Sequence, residues 1–129
     1  MQIEKIHHIA IICSDYQKSK QFYTEILSFN IENEVYRQEK HSYKLDLSFN
    51  GHYVIELFSF PNPPQRLTRP EATGLRHIAF GVKNIENEIQ FLQSRNVITE
   101  PIRIDEYTNK KFTFFFDPDN LPIELYELW

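Results

Sequence analysis

His77-Ile78-Ala79-Phe80 repeats, 69 positions on, the run His8-Ile9-Ala10-Ile11. Each is a histidine leading an apolar, strand-like stretch. The same offset carries Phe22 onto Phe91, each inside a helical pattern that follows its strand. Val54-Ile55-Glu56-Leu57 is echoed by Pro122-Ile123-Glu124-Leu125, one position short of that offset. His8 and Glu56 stand 48 positions apart, and His77 and Glu124 stand 47 apart. A long fixed period determines architecture before any single element does. Here it predicts two modules of one design, and it carries the residues best suited to holding a metal.

Working outward, the first module reads as strand, helix, then three strands. Lys5 to Cys13 is an isoleucine-rich strand. Ser14 is a helix N-cap, with Gln17 completing a capping box. Ser19, Phe22, Tyr23, Ile26 and Leu27 form the buried stripe of a helix that stops near Ser28 or Asn30. Glu32 to Arg37 and Ser42 to Phe49 are strands. In the latter, Tyr43, Leu45, Leu47 and Phe49 alternate with Lys44, Asp46 and Ser48, the pattern of one wet face. Asn50-Gly51 is a hairpin turn, since type I′ needs positive φ at both central residues. Tyr53 to Phe60 returns. Residues 61–74 hold Pro61, Pro63, Pro64 and Pro70 with Arg66 and Arg69, and read as a linker.

The second module repeats the order. Leu75 to Val82 is a strand, and Asn84 caps a helix lined by Ile85, Ile89 and Leu92 that ends near Asn96. Ile98 to Tyr107 is a strand interrupted by Pro101, hence at an edge or bulged. Lys111 to Phe116 is a strand, Asp117-Pro118-Asp119-Asn120 a turn, and Leu121 to Leu128 the closing strand. The chain is thus a single domain, 1–129, of two modules, about 1–60 and 75–129.

Composition narrows the functional classes. Hydrophobic residues at 41% and charged residues at 25% describe a globular chain. A net charge of −4 argues against a broad basic surface for nucleic acid. The single cysteine, Cys13, excludes an internal disulfide and a multi-cysteine zinc site. No stretch approaches the roughly 20 apolar residues of a membrane span. The amino-terminal segment lacks the cationic flank of a signal peptide. These features predict a cytoplasmic protein with no membrane partner.

A lone histidine in a strand is more often structural than a ligand. The repeat changes that balance, because Glu56 and Glu124 lie between apolar neighbours at matched places, each with a matched histidine. A carboxylate buried without a partner is costly. His8, Glu56, His77 and Glu124 therefore form a candidate ligand set for one divalent ion. Imidazole plus carboxylate suits zinc, nickel, cobalt, iron or manganese, and four protein ligands leave octahedral positions open for chemistry. His7 is read as facing away from the site, His41 and His52 as turn residues, and Cys13 as a small buried hydrophobe. Tyr43, Phe112, Phe114 and Phe116 are core or cavity wall. Arg37, Arg66, Arg69 and Lys111 are candidates for an anionic substrate group, set against solvated surface charge.

With these residues in place, the sequence resembles the vicinal oxygen chelate superfamily, specifically its small single-chain glyoxalase I-type members. The resemblance rests on His8-Ile9-Ala10-Ile11, Phe22-Tyr23-Thr24-Glu25-Ile26-Leu27, Val54-Ile55-Glu56-Leu57, Leu75-Arg76-His77-Ile78-Ala79-Phe80 and Phe116 through Leu125. It implies an α+β fold of paired βαβββ modules forming a cupped, eight-stranded mixed sheet around a metal held by His8, Glu56, His77 and Glu124. It further implies a homodimeric, metal-dependent lyase of the lactoylglutathione lyase type, with zinc or nickel as the first choice of ion. Such an enzyme converts the hemithioacetal of a 2-oxoaldehyde and a small thiol to a 2-hydroxyacyl thioester through a metal-bound ene-diolate. Glu56 or Glu124 would be the base, and the near-symmetry leaves both open. Alternatives with the same cup are an acyl-CoA epimerase, another metalloenzyme of the superfamily, or a drug-sequestering protein without chemistry. The four ligands count against the last, and Glu56 counts against extradiol dioxygenases. Two departures concern turns: Ser28 and Asn120 stand where the family usually has glycine.

Overall fold

The computed structural model describes all 129 residues. The chain divides into two units, Met1–Gln65 and Arg66–Trp129. In the first, β1 (Ile9–Cys13) leads into α1 (Tyr16–Gln21), which continues as a π-helical turn over Phe22–Ile26. Three strands follow: β2 (Asn30–Arg37), β3 (Ser42–Phe49) and β4 (His52–Ser59). In the second unit β5 (Ile78–Val82) leads into α2 (Ile85–Ser94), followed by β6 (Arg103–Ile104), β7 (Lys111–Phe116) and β8 (Pro122–Glu127). The sheets run in the orders β1-β4-β3-β2 and β5-β8-β7-β6. Both are mixed, with one parallel pair (β1 with β4, β5 with β8) and the rest antiparallel. The fold is α+β, and each unit is one βαβββ module. No helix is long and apolar enough to cross a membrane.

The registers show how far the repeat extends. In the first unit Ala10 pairs with Glu56, and in the second Ala79 pairs with Glu124. The one-residue difference in spacing therefore falls outside the parallel ladders. The antiparallel β3–β4 pair has a register shift between Leu47 and Ser48, absent from the β7–β8 pair. A bulge adds one residue to one strand and turns the following side chain to the other face. Here the extra residue is Val54 of β4, and the β2–β3 pair also shifts, at Glu32 of β2; between these two irregularities the wet-face pattern of β3 breaks, with Ser48 buried and Phe49 exposed.

Ile55 and Leu57 of β4 are fully buried, as is Ile123 of β8, with Leu125 nearly so. Glu56 and Glu124 lie between them and so project from the opposite face. Leu45, Leu47, Tyr23 and Cys13 complete the first core, and Ile85, Leu92 and Phe115 the second.

Several boundaries differ from the sequence expectation. The first strand begins at Ile9 rather than Lys5, because its ladder with β4 begins at Ile9–Ile55. The helix cap is Asp15, not Ser14: the Asp15 carboxylate accepts the Lys18 amide at 3.1 Å. A carboxylate also complements the positive end of the helix. The stretch 98–107 is strand only at Arg103–Ile104, an edge, in keeping with the donor that Pro101 lacks. Asn84 does cap α2, accepting from the Asn87 amide. Asn50 and Gly51 both adopt positive φ, as the hairpin requires. Ser28 and Asn120 do too, at 60° and 63°, so the chain keeps left-handed turns where the family usually places glycine.

Candidate metal centre

Parallel pairing of the first and last strands of each unit brings a histidine to a glutamate. His8 stands two positions before Ala10, and Ala10 pairs with Glu56; in consequence His8 Nε2 lies 3.2 Å from Glu56 Oε2. His77 stands two positions before Ala79, and its Nε2 lies 3.0 Å from Glu124 Oε2. All four side chains are partly exposed, the glutamates at 14% and 13%.

The surroundings of the two pairs differ. In the first unit the residue across from Glu56 on β3 is Asp46, with Lys44 two positions away on the same face. Lys44 Nζ lies 2.7 Å from Glu56 Oε1 and also pairs with Asp46, which accepts from the Tyr53 hydroxyl at 3.2 Å. Burial works against the Lys44 charge, yet its bonds to Asp46 and Glu56 outweigh it and raise the pKa above the usual lysine value. Burial also opposes ionisation of Asp46, but Lys44, Tyr53 and Asn33 hold its carboxyl below the usual range. Burial, together with the Asp46 and Glu56 carboxylates, pushes the Tyr53 hydroxyl up to about 12. It stays a neutral donor, with its ring 5.4 Å from that of His8. His7 does not face away, as sequence alternation suggested. It precedes the strand, and its Nδ1 lies 2.8 Å from His8 Nδ1, its ring edge-on to Tyr53.

In the second unit the residue across from Glu124 is Phe114, whose ring meets His77 edge-on at 5.2 Å. No cation is paired with Glu124. Buried Nδ1 of His77 has no hydrogen-bond partner, and Nε2 is the ring nitrogen that faces the carboxylate. A cleft of about 230 Å³ opens against His77, Phe114 and Phe116, rimmed by Arg66, Arg69, Arg76 and Arg103.

Imidazole nitrogen and carboxylate oxygen are donor types that suit a divalent ion. Two N or O ligands side by side on one ion at about 2.1 Å each lie roughly 3 Å apart, the separation seen in both pairs. A hydrogen bond would have the same length. No group of three or more His, Cys, Asp or Glu is placed to hold a metal ion.

Of the other residues singled out in sequence, Cys13 is buried, and Phe114 and Phe116 do line a cavity. Arg66 and Arg69 reach the cleft. Arg37 instead stacks over Phe58 and bonds to Ser42, and Lys111 pairs with Glu86. Sequence reasoning misses Lys44, Asp46, Tyr53, Arg76 and Arg103. The polar alternation of β3 is a signal for the first two, but by itself it indicates only a solvated face.

The family described as the Glyoxalase/Bleomycin resistance protein/Dioxygenase superfamily matches residues 5–125. The uncharacterized protein YwkD of Bacillus subtilis (strain 168) is 63% identical over 127 residues, covering 98% of this chain and 99% of its own. A solved structure of a glyoxalase family protein from Enterococcus faecalis is 49% identical, with a TM-score of 0.91 over 98% of this chain and 100% of that one. Lactoylglutathione lyase of Schizosaccharomyces pombe (strain 972 / ATCC 24843) is 29% identical over 147 aligned positions, covering 97% of this chain. This chain spans about half of that lyase, 48% of its length.

Proposed function

The chain belongs to the Glyoxalase/Bleomycin resistance protein/Dioxygenase superfamily, and from that premise we propose a metal-dependent lyase of the glyoxalase I type. Its substrate is the hemithioacetal of a 2-oxoaldehyde and a small thiol, its product a 2-hydroxyacyl thioester. The observation that carries the reading is the pair of His–Glu couples at equivalent register, His8–Glu56 and His77–Glu124. The similarity to a lactoylglutathione lyase supports it. Under this reading the two couples together hold one divalent ion, zinc or nickel first, with cobalt, manganese or iron also compatible with the donors. When bound, the ion supplies Lewis acidity, drawing negative charge onto the substrate oxygens.

The chain's own residues divide the remaining work. A carboxylate removes the proton from the carbon bearing sulphur and hydroxyl and delivers it to the adjacent carbonyl carbon. The hydroxyl proton passes to the neighbouring oxygen, so no redox partner is needed. Glu124 is the carboxylate we assign as base, on the geometry of its neighbours. Lys44 holds Glu56 by its Oε1, which ties that carboxylate to β3 and leaves it less free to swing toward a substrate. Glu124 is paired with His77 alone and has the Phe114 ring, not a cation, across from it on β7.

The test combines elemental analysis with turnover on the full chain. Wild type should carry one divalent ion per site, and His77→Ala should lose it. Metal-loaded Glu124→Gln should lose turnover of methylglyoxal–thiol adducts by a factor of about 10²–10⁴, the usual worth of a positioned base, with a smaller loss in Glu56→Gln. A metal-loaded wild type inactive with every thiol would sink the lyase reading, and turnover of an acyl-CoA epimer instead would replace it.

A further inference from the structure

We propose that the cleft of the second unit seats an anionic group of the substrate, a carboxylate or phosphate on a compact molecule whose other end reaches His77. The cleft lies wholly within Arg66–Trp129. Four arginines and two glutamates, Glu71 and Glu100, line it. With the arginines permanently charged, two positive charges have no counterion there, on a chain whose net charge is −4.

The four arginines are not equally engaged. Arg66 donates to the backbone carbonyls of Leu75 and Arg76 and so ties the proline-rich stretch to the start of the second module. Arg103 bonds Glu100 at 2.8 Å and lies over the Phe112 and Phe114 rings at 4.9 and 5.4 Å. Arg69 and Arg76 have only distant countercharges, Glu100 at 3.7 Å and Glu71 at 3.8 Å. Those separations exceed hydrogen-bond length, and both side chains are about 70% exposed. Their N–H donors are available for the forked contact that guanidinium makes with carboxylate or phosphate.

Size and polarity refine the class. A volume near 230 Å³ equals roughly eight waters at about 30 Å³ each. That admits a charged group on a short chain. Phe114 and Phe116 give the cleft an apolar wall, so a ligand with a hydrophobic stem fits better than a bare ion. Only the placing of the reacting end beside His77 rests on the lyase reading. The anion seat itself does not.

The experiment titrates the full chain with inorganic phosphate, phenyl phosphate, phenylacetate and benzyl alcohol by calorimetry, both metal-stripped and metal-loaded. We expect phenyl phosphate or phenylacetate to bind metal-stripped protein more tightly than phosphate, and benzyl alcohol not to bind. The tighter of the first two identifies the natural group as phosphate or carboxylate. Arg69→Gln/Arg76→Gln should weaken the better ligand at least about tenfold, as loss of charge-assisted forked contacts requires. Lys83→Gln/Arg95→Gln, which removes two charges outside the cleft, should leave it unchanged. Equal weakening by both double variants, or binding only when metal is loaded, would overturn the proposal. Metal content and turnover of the same samples report separately on the lyase reading: anion binding that survives in metal-free His77→Ala supports the seat, whatever becomes of the chemistry.

Discussion

Lys44 and Asp46 occupy, on the third strand of the first unit, the places that Phe112 and Phe114 occupy in the second. Two otherwise matched carboxylates thereby acquire different surroundings, one cationic and one aromatic. A comparable local effect, away from the candidate centre, sets an acid limb on stability. Glu34 accepts from Lys20 and, at 2.8 Å, from the Tyr16 hydroxyl. These bonds, Lys20 first, hold its carboxyl below the usual glutamate range. A carboxyl depressed in the folded state stabilises it fully above the unfolded value of about 4.3. That stability is lost as pH falls through the lower folded pKa. The urea midpoint of wild type should therefore drop between about pH 5 and pH 3, and Glu34→Gln should show a shallower drop. Parallel curves would assign the acid limb to other groups.

Helix ends and turns carry the clearest energetic consequences at the level of elements. Asn84 accepts from the Asn87 amide at 2.8 Å, satisfying one of the donors that begin α2. Asn84→Ala should cost about 1 kcal/mol in chemical denaturation, and a cost near zero would mean that water caps as well. Ser28 pays for its left-handed φ of 60°. A side chain there costs roughly 1–2 kcal/mol, against about 0.5–1 kcal/mol of chain entropy that glycine would lose on folding. Ser28→Gly should thus raise stability by about half a kcal/mol, where most substitutions lower it. The irregularities at Glu32 of β2 and Val54 of β4 belong to this scale as well, since the inward–outward pattern of β3 breaks between them.

At the scale of the molecule, proteins of this superfamily bind small molecules and often form dimers. The edge strand β2 leaves Ile31, Val35 and Tyr36 nearly half exposed, apolar surface that a second copy could cover. We expect sedimentation to give twice the chain mass. A monomer that nonetheless carries its full metal complement would remove the dimer and leave the ligand set in place.

The repeat, the βαβββ order, the Asn50-Gly51 hairpin and the two histidine–glutamate couples could all be read from sequence, because each depends on period or on local backbone preference. Alternation tells which face a strand residue occupies, and that sufficed to place His8 with Glu56 and His77 with Glu124. It does not tell which residue stands across from it on the next strand. Asp46 opposite Glu56 and Phe114 opposite Glu124 depend on antiparallel registers, one of them shifted by a bulge that no short motif announces. The cleft is less local still. Arg66 and Arg69 come from the proline-rich stretch, Arg76 from the approach to β5 and Arg103 from a two-residue edge strand. Charges so far apart in sequence read singly as solvated surface, and only the path of the folded chain gathers them around His77.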